Sequence, residues 1–125
     1  MTSQAFDMAE HEERLDRVIA RSFSTTFMSN SKWRRLFSAL AATDPAIRKL
    51  RWKFVGRDAE VEGAAPDAEC LGGSYVTRTS FAAFPYKEIE WVELPDLSDL
   101  PQSVAAVGKF EATQTPTGVR IYGYR

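Results

Sequence analysis

The sequence predicts an α+β domain: two N-terminal helices, then a five-stranded, mainly antiparallel sheet with a short helix before a C-terminal hairpin. Three observations carry this. Apolar residues recur at helical spacing through the first 42 positions; the period changes to two after Pro45; and the later apolar runs are joined by short, Pro- or Gly-bearing connections that suit hairpins rather than helical crossovers. At 125 residues, 44% of them hydrophobic and 26% charged, the chain is long enough for one core and has the composition of a folded protein. It reads as a single domain over 1–125, with residues 1–28 readable as an N-terminal helical extension.

From about Asp7 to Ser22, Met8, Leu15, Val18 and Ile19 share one arc, while Glu10–Arg14 and Glu13–Arg17 stand four apart on the outer side. Ser22 to Asn30 is polar and rich in Ser and Thr, which favour turns and caps, so a second helix starts at Ser29, Asn30 or Ser31. Within Lys32 to Ala42, Trp33, Leu36, Phe37 and Leu40 fall in an arc of about 100°. Asp44-Pro45 ends that helix, because proline lacks a donor and restricts the residue before it.

Leu50, Trp52 and Phe54 then alternate with Arg51, Lys53 and Val55, the pattern of a strand with one buried face. Glu62 to Ser74, with Gly63, Pro66, Gly72 and Gly73, reads as a loop. A second strand is expected over Ser74 to Phe81 and a third over Tyr86 to Glu93, with Ile89 and Trp91 facing inward and Ala82 to Pro85 as the hairpin connection. Asp99, Leu100 and Pro101 begin a short helix through Val104 and Val107 that stops at Gly108. Lys109 to Thr115, a turn at Pro116-Thr117-Gly118, and Val119 to Tyr124 complete the hairpin.

Sixteen bases against seventeen acids give a net charge of −1, but the charges are segregated. Between Ser29 and Arg57 there are eight bases (Lys32, Arg34, Arg35, Arg48, Lys49, Arg51, Lys53, Arg57) and one acid, Asp44, a surplus of seven. No apolar run nears the roughly 20 residues of a spanning helix, and Met1 to Glu13 is acidic where a signal peptide starts basic. With only Cys70 there is no intramolecular disulfide, so the expected location is cytoplasmic, with no membrane partner.

Candidates for chemistry are few. His11 is the only histidine and shares the apolar arc of the first helix; Cys70 sits beside Asp67 and Glu69, which disfavour a thiolate. One Cys and one His make no metal set, and Gly72-Gly73 lacks the context of a phosphate loop, so no cofactor is expected. Glu88 and Glu90, two apart on the predicted third strand, are the acid–base pair a small hydrolase or lyase would need, with Arg78 across from them. Glu60 and Glu62 repeat the spacing beside a Gly-rich stretch. Segment 29–57 carries cations and two tryptophans, as a nucleic-acid surface does, but Trp33 and Trp52 lie on apolar faces and read as core. Arg34, Arg35, Arg51 and Lys53 are left as cations without stacking platforms. On the last strand Arg120, Tyr122 and Tyr124 alternate with Val119, Ile121 and Gly123, a row that suits an interface or packing beneath a helix.

Three stretches resemble a small family of bacterial single-domain proteins of unassigned function: Ser29-Asn30-Ser31-Lys32-Trp33-Arg34-Arg35-Leu36, Tyr86-Lys87-Glu88-Ile89-Glu90-Trp91-Val92, and Arg120-Ile121-Tyr122-Gly123-Tyr124-Arg125. The resemblance implies a compact single domain and assigns no catalytic residue. Immunity and adaptor proteins of this size supply an analogy. Catalytic clusters being absent while Tyr, Trp and Arg are plentiful, the expected function is non-enzymatic recognition of another protein or of a second copy as a homodimer. The binding residues would be Arg34, Arg35, Arg51, Lys53, Arg120, Tyr122 and Tyr124, on a charge-segregated surface and an aromatic edge strand.

Overall fold

The computed structural model describes residues 8–43, 46–66, 75–76 and 84–125. The expected helix start at Asp7, the Asp44-Pro45 stop, Cys70, Gly72-Gly73, Arg78 and most of strand 74–81 lie outside the described residues, as do the side chains of Met8 and His11.

Helix α1 (Met8–Ser22) turns Leu15, Val18 and Ile19 to one side. Helix α2 (Asn30–Ala42) begins where Ser29 stays extended, φ −116° and ψ 171°, and its hydroxyl accepts the Lys32 N–H at 3.2 Å. At its far end the Thr43 hydroxyl donates to the Leu40 carbonyl at 2.6 Å, closing the last turn. Trp33, Leu36, Phe37 and Leu40 are all buried, as their spacing requires.

Strands β1 (Lys49–Phe54) and β2 (Val61–Ala64) form the first hairpin. Strands β3 (Tyr75–Val76) and β4 (Phe84–Pro85) make a separate two-stranded ribbon. A 3₁₀ turn, Tyr86–Glu88, leads into β5 (Ile89–Pro95); the short helix α3 (Gln102–Ala105) precedes β6 (Ala112–Thr115) and β7 (Gly118–Tyr122). The main sheet runs β2-β1-β5-β7-β6 with every neighbour antiparallel. Helix α2 lies over one face: its four apolar side chains pack with Leu50, Trp52, Phe54, Val92, Leu94 and Ile121 in one cluster. Each side chain of that size contributes about 1.5–3 kcal/mol on burial, so this interface holds the two layers together.

Helix α1 packs elsewhere. Leu15, with Val18, Ile19 and Phe23 beside it, meets Val55 and Tyr124 in a second, smaller cluster. Beneath it the segment after α1 is stitched to the end of the chain: Ser24 and Thr25 N–H donate to the Arg125 carbonyl (2.8 and 3.0 Å), Phe27 N–H to Gly123 (2.8 Å). Gly123 allows this crossing, since a Cβ there would lie 2.6 Å from the Ile89 carbonyl oxygen and 3.0 Å from Trp33 Cζ2.

Three expectations about strands are corrected. The fifth strand of the sheet is Val61–Ala64, from the stretch read partly as loop, whereas Tyr75–Val76 belongs to the separate ribbon. Gly63 and Ala64 carry no apolar period; the main-chain pairing Leu50↔Gly63 and Arg51↔Glu62 makes them a strand. Second, β5 begins at Ile89 rather than Tyr86. Third, Trp91 is buried but does not face the α2 core. Phe54 pairs with Ile89 and Lys53 with Trp91, leaving Glu90 as an extra residue; this bulge reverses the parity, so Val92 and Leu94 point to the core and Trp91 to the opposite face.

Candidate functional site

Alternation along three adjacent strands decides what stands on the sheet face away from α2. Trp52, Val92 and Ile121 point to the core, so Arg51 and Lys53 of β1, Trp91 and Glu93 of β5, and Arg120 and Tyr122 of β7 point outward. Register brings them level: Arg51 opposes Glu93, which opposes Arg120, and Lys53 opposes Trp91, which opposes Tyr122.

Glu93 is the centre of this face and is fully buried. Arg51 Nη1 donates to its Oε2 at 2.9 Å and Arg120 Nη2 to its Oε1 at 3.3 Å. The turn between β6 and β7 delivers two hydroxyls as well, Thr117 to Oε2 at 2.7 Å and Thr115 to Oε1 at 3.0 Å. That turn is set by Thr115 Oγ1, which accepts the N–H of Thr117 and of Gly118 (3.2 and 3.0 Å). Burial pushes the Glu93 carboxyl up, but the two hydroxyls and the Arg120 and Arg51 charges outweigh it and hold its pKa below the ordinary value. The group is a saturated structural anion, not a proton carrier at neutral pH.

The two guanidinium groups are correspondingly fixed. Arg120 also sits over the Trp91 ring, 3.7 Å from its centroid, and Arg51 Nη1 reaches Thr117 at 3.1 Å. Arg125 covers Tyr122 at 4.5 Å, and Lys53 pairs with Glu90 at 2.7 Å. Their side chains keep 20–29% of their surface in solvent for Arg51, Lys53 and Arg120. Outward on the same face stand Lys49 and, directly across from Arg51, Glu62, both exposed. The result is a half-open surface of held cations and interspersed carboxylates around the Tyr122 ring, with Trp91 buried beneath Arg120.

Of the seven residues expected to bind, four are therefore brought together: Arg51, Lys53, Arg120 and Tyr122. Tyr124 is not with them. Past Gly123 it turns beneath α1, where it is buried, stacks with Phe23 at 5.4 Å and donates from its hydroxyl to the Lys87 carbonyl at 2.9 Å. Burial, with the Asp16 charge as a second cause, raises its pKa to about 12. Arg34 and Arg35 lie on α2, on the far side of the sheet, lining a shallow depression with Ser31, Ser38 and Val107. The last strand is not an edge either, since β7 lies between β5 and β6. Trp33 and Trp52 are core, as their faces indicate.

Glu88 and Glu90 do not share a strand face. Glu88 is buried in the 3₁₀ turn and lines a groove of about 140 Å³ with Arg14, Val18 and Val55, while Glu90 is the bulge residue held by Lys53. Glu60 and Glu62 are exposed. Among the described residues no group of three or more His, Cys, Asp or Glu could hold a metal ion, and no helix is long and apolar enough to cross a membrane. Sequence reading passed over Glu93, Thr115 and Thr117; the signal for Glu93 was its place in the otherwise apolar run Trp91-Val92-Glu93-Leu94.

The chain belongs to a family described as a family of unknown function (DUF6678), whose model matches residues 15–125 and so contains all three stretches that carry the resemblance. No curated protein and no solved structure matches it.

Proposed function

We propose that this chain is a non-catalytic protein-binding domain whose recognition surface is the outer face of the sheet. One observation carries the reading: Arg51 and Arg120 are clamped on the buried Glu93 beside Trp91 and Tyr122, yet remain a quarter or so exposed. Arg and Tyr are among the residues that anchor protein interfaces, and anchors already held in place, as Arg120 is over the buried Trp91 ring, lose little conformational entropy on binding. Glu62 and Glu90 alternate with Lys49, Arg51 and Lys53 on this face, a mixed-sign pattern that suits another protein better than a uniform polyanion. The compartment proposed is the cytoplasm, since the one cysteine forms no intramolecular disulfide.

The test compares capture from the native host's extract by the full chain and by two variants. Lys49→Glu with Tyr122→Ala changes the face without touching the buried Glu93 cluster; Arg34→Ala with Arg35→Ala changes the opposite side. Proteins retained by the wild type at low salt, lost with the first variant and kept with the second, support the reading. Identical capture by all three rejects it.

A further inference from the structure

The two edges of the sheet are unlike. Strand β2 carries the exposed Glu62, has Gly63 at its middle and is followed two residues later by Pro66, devices with which natural sheets discourage pairing at an edge. Strand β6, Ala112-Thr113-Gln114-Thr115, has no charge, glycine or proline along its length, and Thr113 and Gln114 are exposed.

Its backbone direction is given by one bond. The Tyr122 N–H donates to the Glu111 carbonyl at 2.9 Å, so residues 111, 113 and 115 turn their main-chain groups toward β7. Ala112 and Gln114 therefore turn theirs away from it: two N–H donors and two carbonyl acceptors on the side where, among the described residues, no strand pairs. That set is self-complementary. Across a twofold axis at Thr113, Ala112 faces Gln114 of another copy and the reverse, which satisfies all four groups on each strand in an antiparallel ladder.

We propose that β6 pairs in this way with β6 of a second copy of this chain, joining two five-stranded sheets into one of ten strands. The side chains agree with that register. Thr113 meets Thr113 across the axis, a pairing that antiparallel sheets favour, Glu111 meets Thr115 and Lys109 meets Thr117, so no like charges stand opposite one another. A twofold perpendicular to the sheet leaves both copies' arginine-bearing faces on the same side. This pairing uses a different element from the surface proposed for partner recognition and stands without it. A four-residue ladder buries little area, so the dimer belongs to the weak, concentration-dependent class.

Sedimentation equilibrium of the full chain at rising concentration tests it. The mass is expected to climb from one chain toward two. Gln114→Pro removes an outward N–H and should hold the mass at one chain while circular dichroism stays that of the wild type. Thr113→Lys sets two ammonium groups face to face and should weaken the dimer at least tenfold; mixing Thr113→Lys with Thr113→Glu should restore a heterodimer. A wild type that stays monomeric, or a Gln114→Pro variant that dimerises like it, overturns the pairing. Failure of the mixture to recover the dimer overturns the Thr113 register. Capture of partners by the Tyr122 face is read separately and is unaffected by either result.

Discussion

The Arg120 guanidinium lies 3.7 Å from the centroid of the Trp91 ring while its Nη2 reaches Glu93 Oε1 at 3.3 Å. One side chain thus shields an indole and neutralises part of a buried charge. Its Nε is buried without a hydrogen-bond partner, a loss that the ring and the carboxylate offset.

Arg120→Lys keeps the charge but gives up the planar group over the ring. It should lower stability by about 1 kcal/mol and shift tryptophan emission to the red. Trp33 and Trp52 stay in the core, so a shift reports on Trp91. Unchanged emission would mean that the indole is covered by something other than Arg120.

Glu93→Gln leaves Arg51 and Arg120 without their common anion. Breaking a buried pair in this way costs about 3–5 kcal/mol, read as a lower urea midpoint with little change in slope. A midpoint within error of the wild type would show the cluster to be energetically idle.

Acid should act through the same carboxyl. Its native pKa lies below the ordinary value, so the unfolded chain binds the proton first. The stabilisation is complete above the ordinary carboxylate range and is lost as pH falls through the native pKa. Denaturation midpoints measured from pH 6 down to pH 3 should therefore fall more steeply in the wild type than in Glu93→Gln.

Alkali has the opposite sign at Tyr124. Its folded pKa is raised to about 12 from 10.0, so its contribution is present below pH 10 and disappears as pH rises through 12. Tyr124→Phe should flatten the fall in melting temperature above pH 10, while losing the bond to the Lys87 carbonyl at every pH.

Gly123→Ala should destabilise by about 1–3 kcal/mol, because the added methyl meets the Ile89 carbonyl and the Trp33 ring. Thermal melting measures this directly, and an unchanged melting temperature would show that the chain end can move aside.

Much of the fold was legible in the residues themselves. Helix α2 announces itself by one apolar arc and a serine cap, and β1 by large apolar side chains alternating with cations. Strand β2 was not, because Gly63 and Ala64 become a strand only through pairing with β1. The side on which Trp91 stands depends on a bulge of one residue, and no local pattern marks it. The site was half legible for a related reason. Alternation put Arg51 with Lys53 and Arg120 with Tyr122, but that β5 runs between those two strands, and so brings both arginines to Glu93, is topology. A single Glu within a strand reads as a solvent position until its neighbours on both sides are known.

The stitching of residues 24–27 to residues 123–125 also orders events in time. Residues 24–27 find these hydrogen-bond partners about a hundred positions later, so the α1 corner stays open while the intervening residues are translated. During that interval Leu15, Val18 and Phe23 lack the surface they come to cover, since Tyr124 supplies part of it. Helix α1 thus settles late among the described elements, and its apolar stripe stays partly uncovered until β7 and Tyr124 emerge.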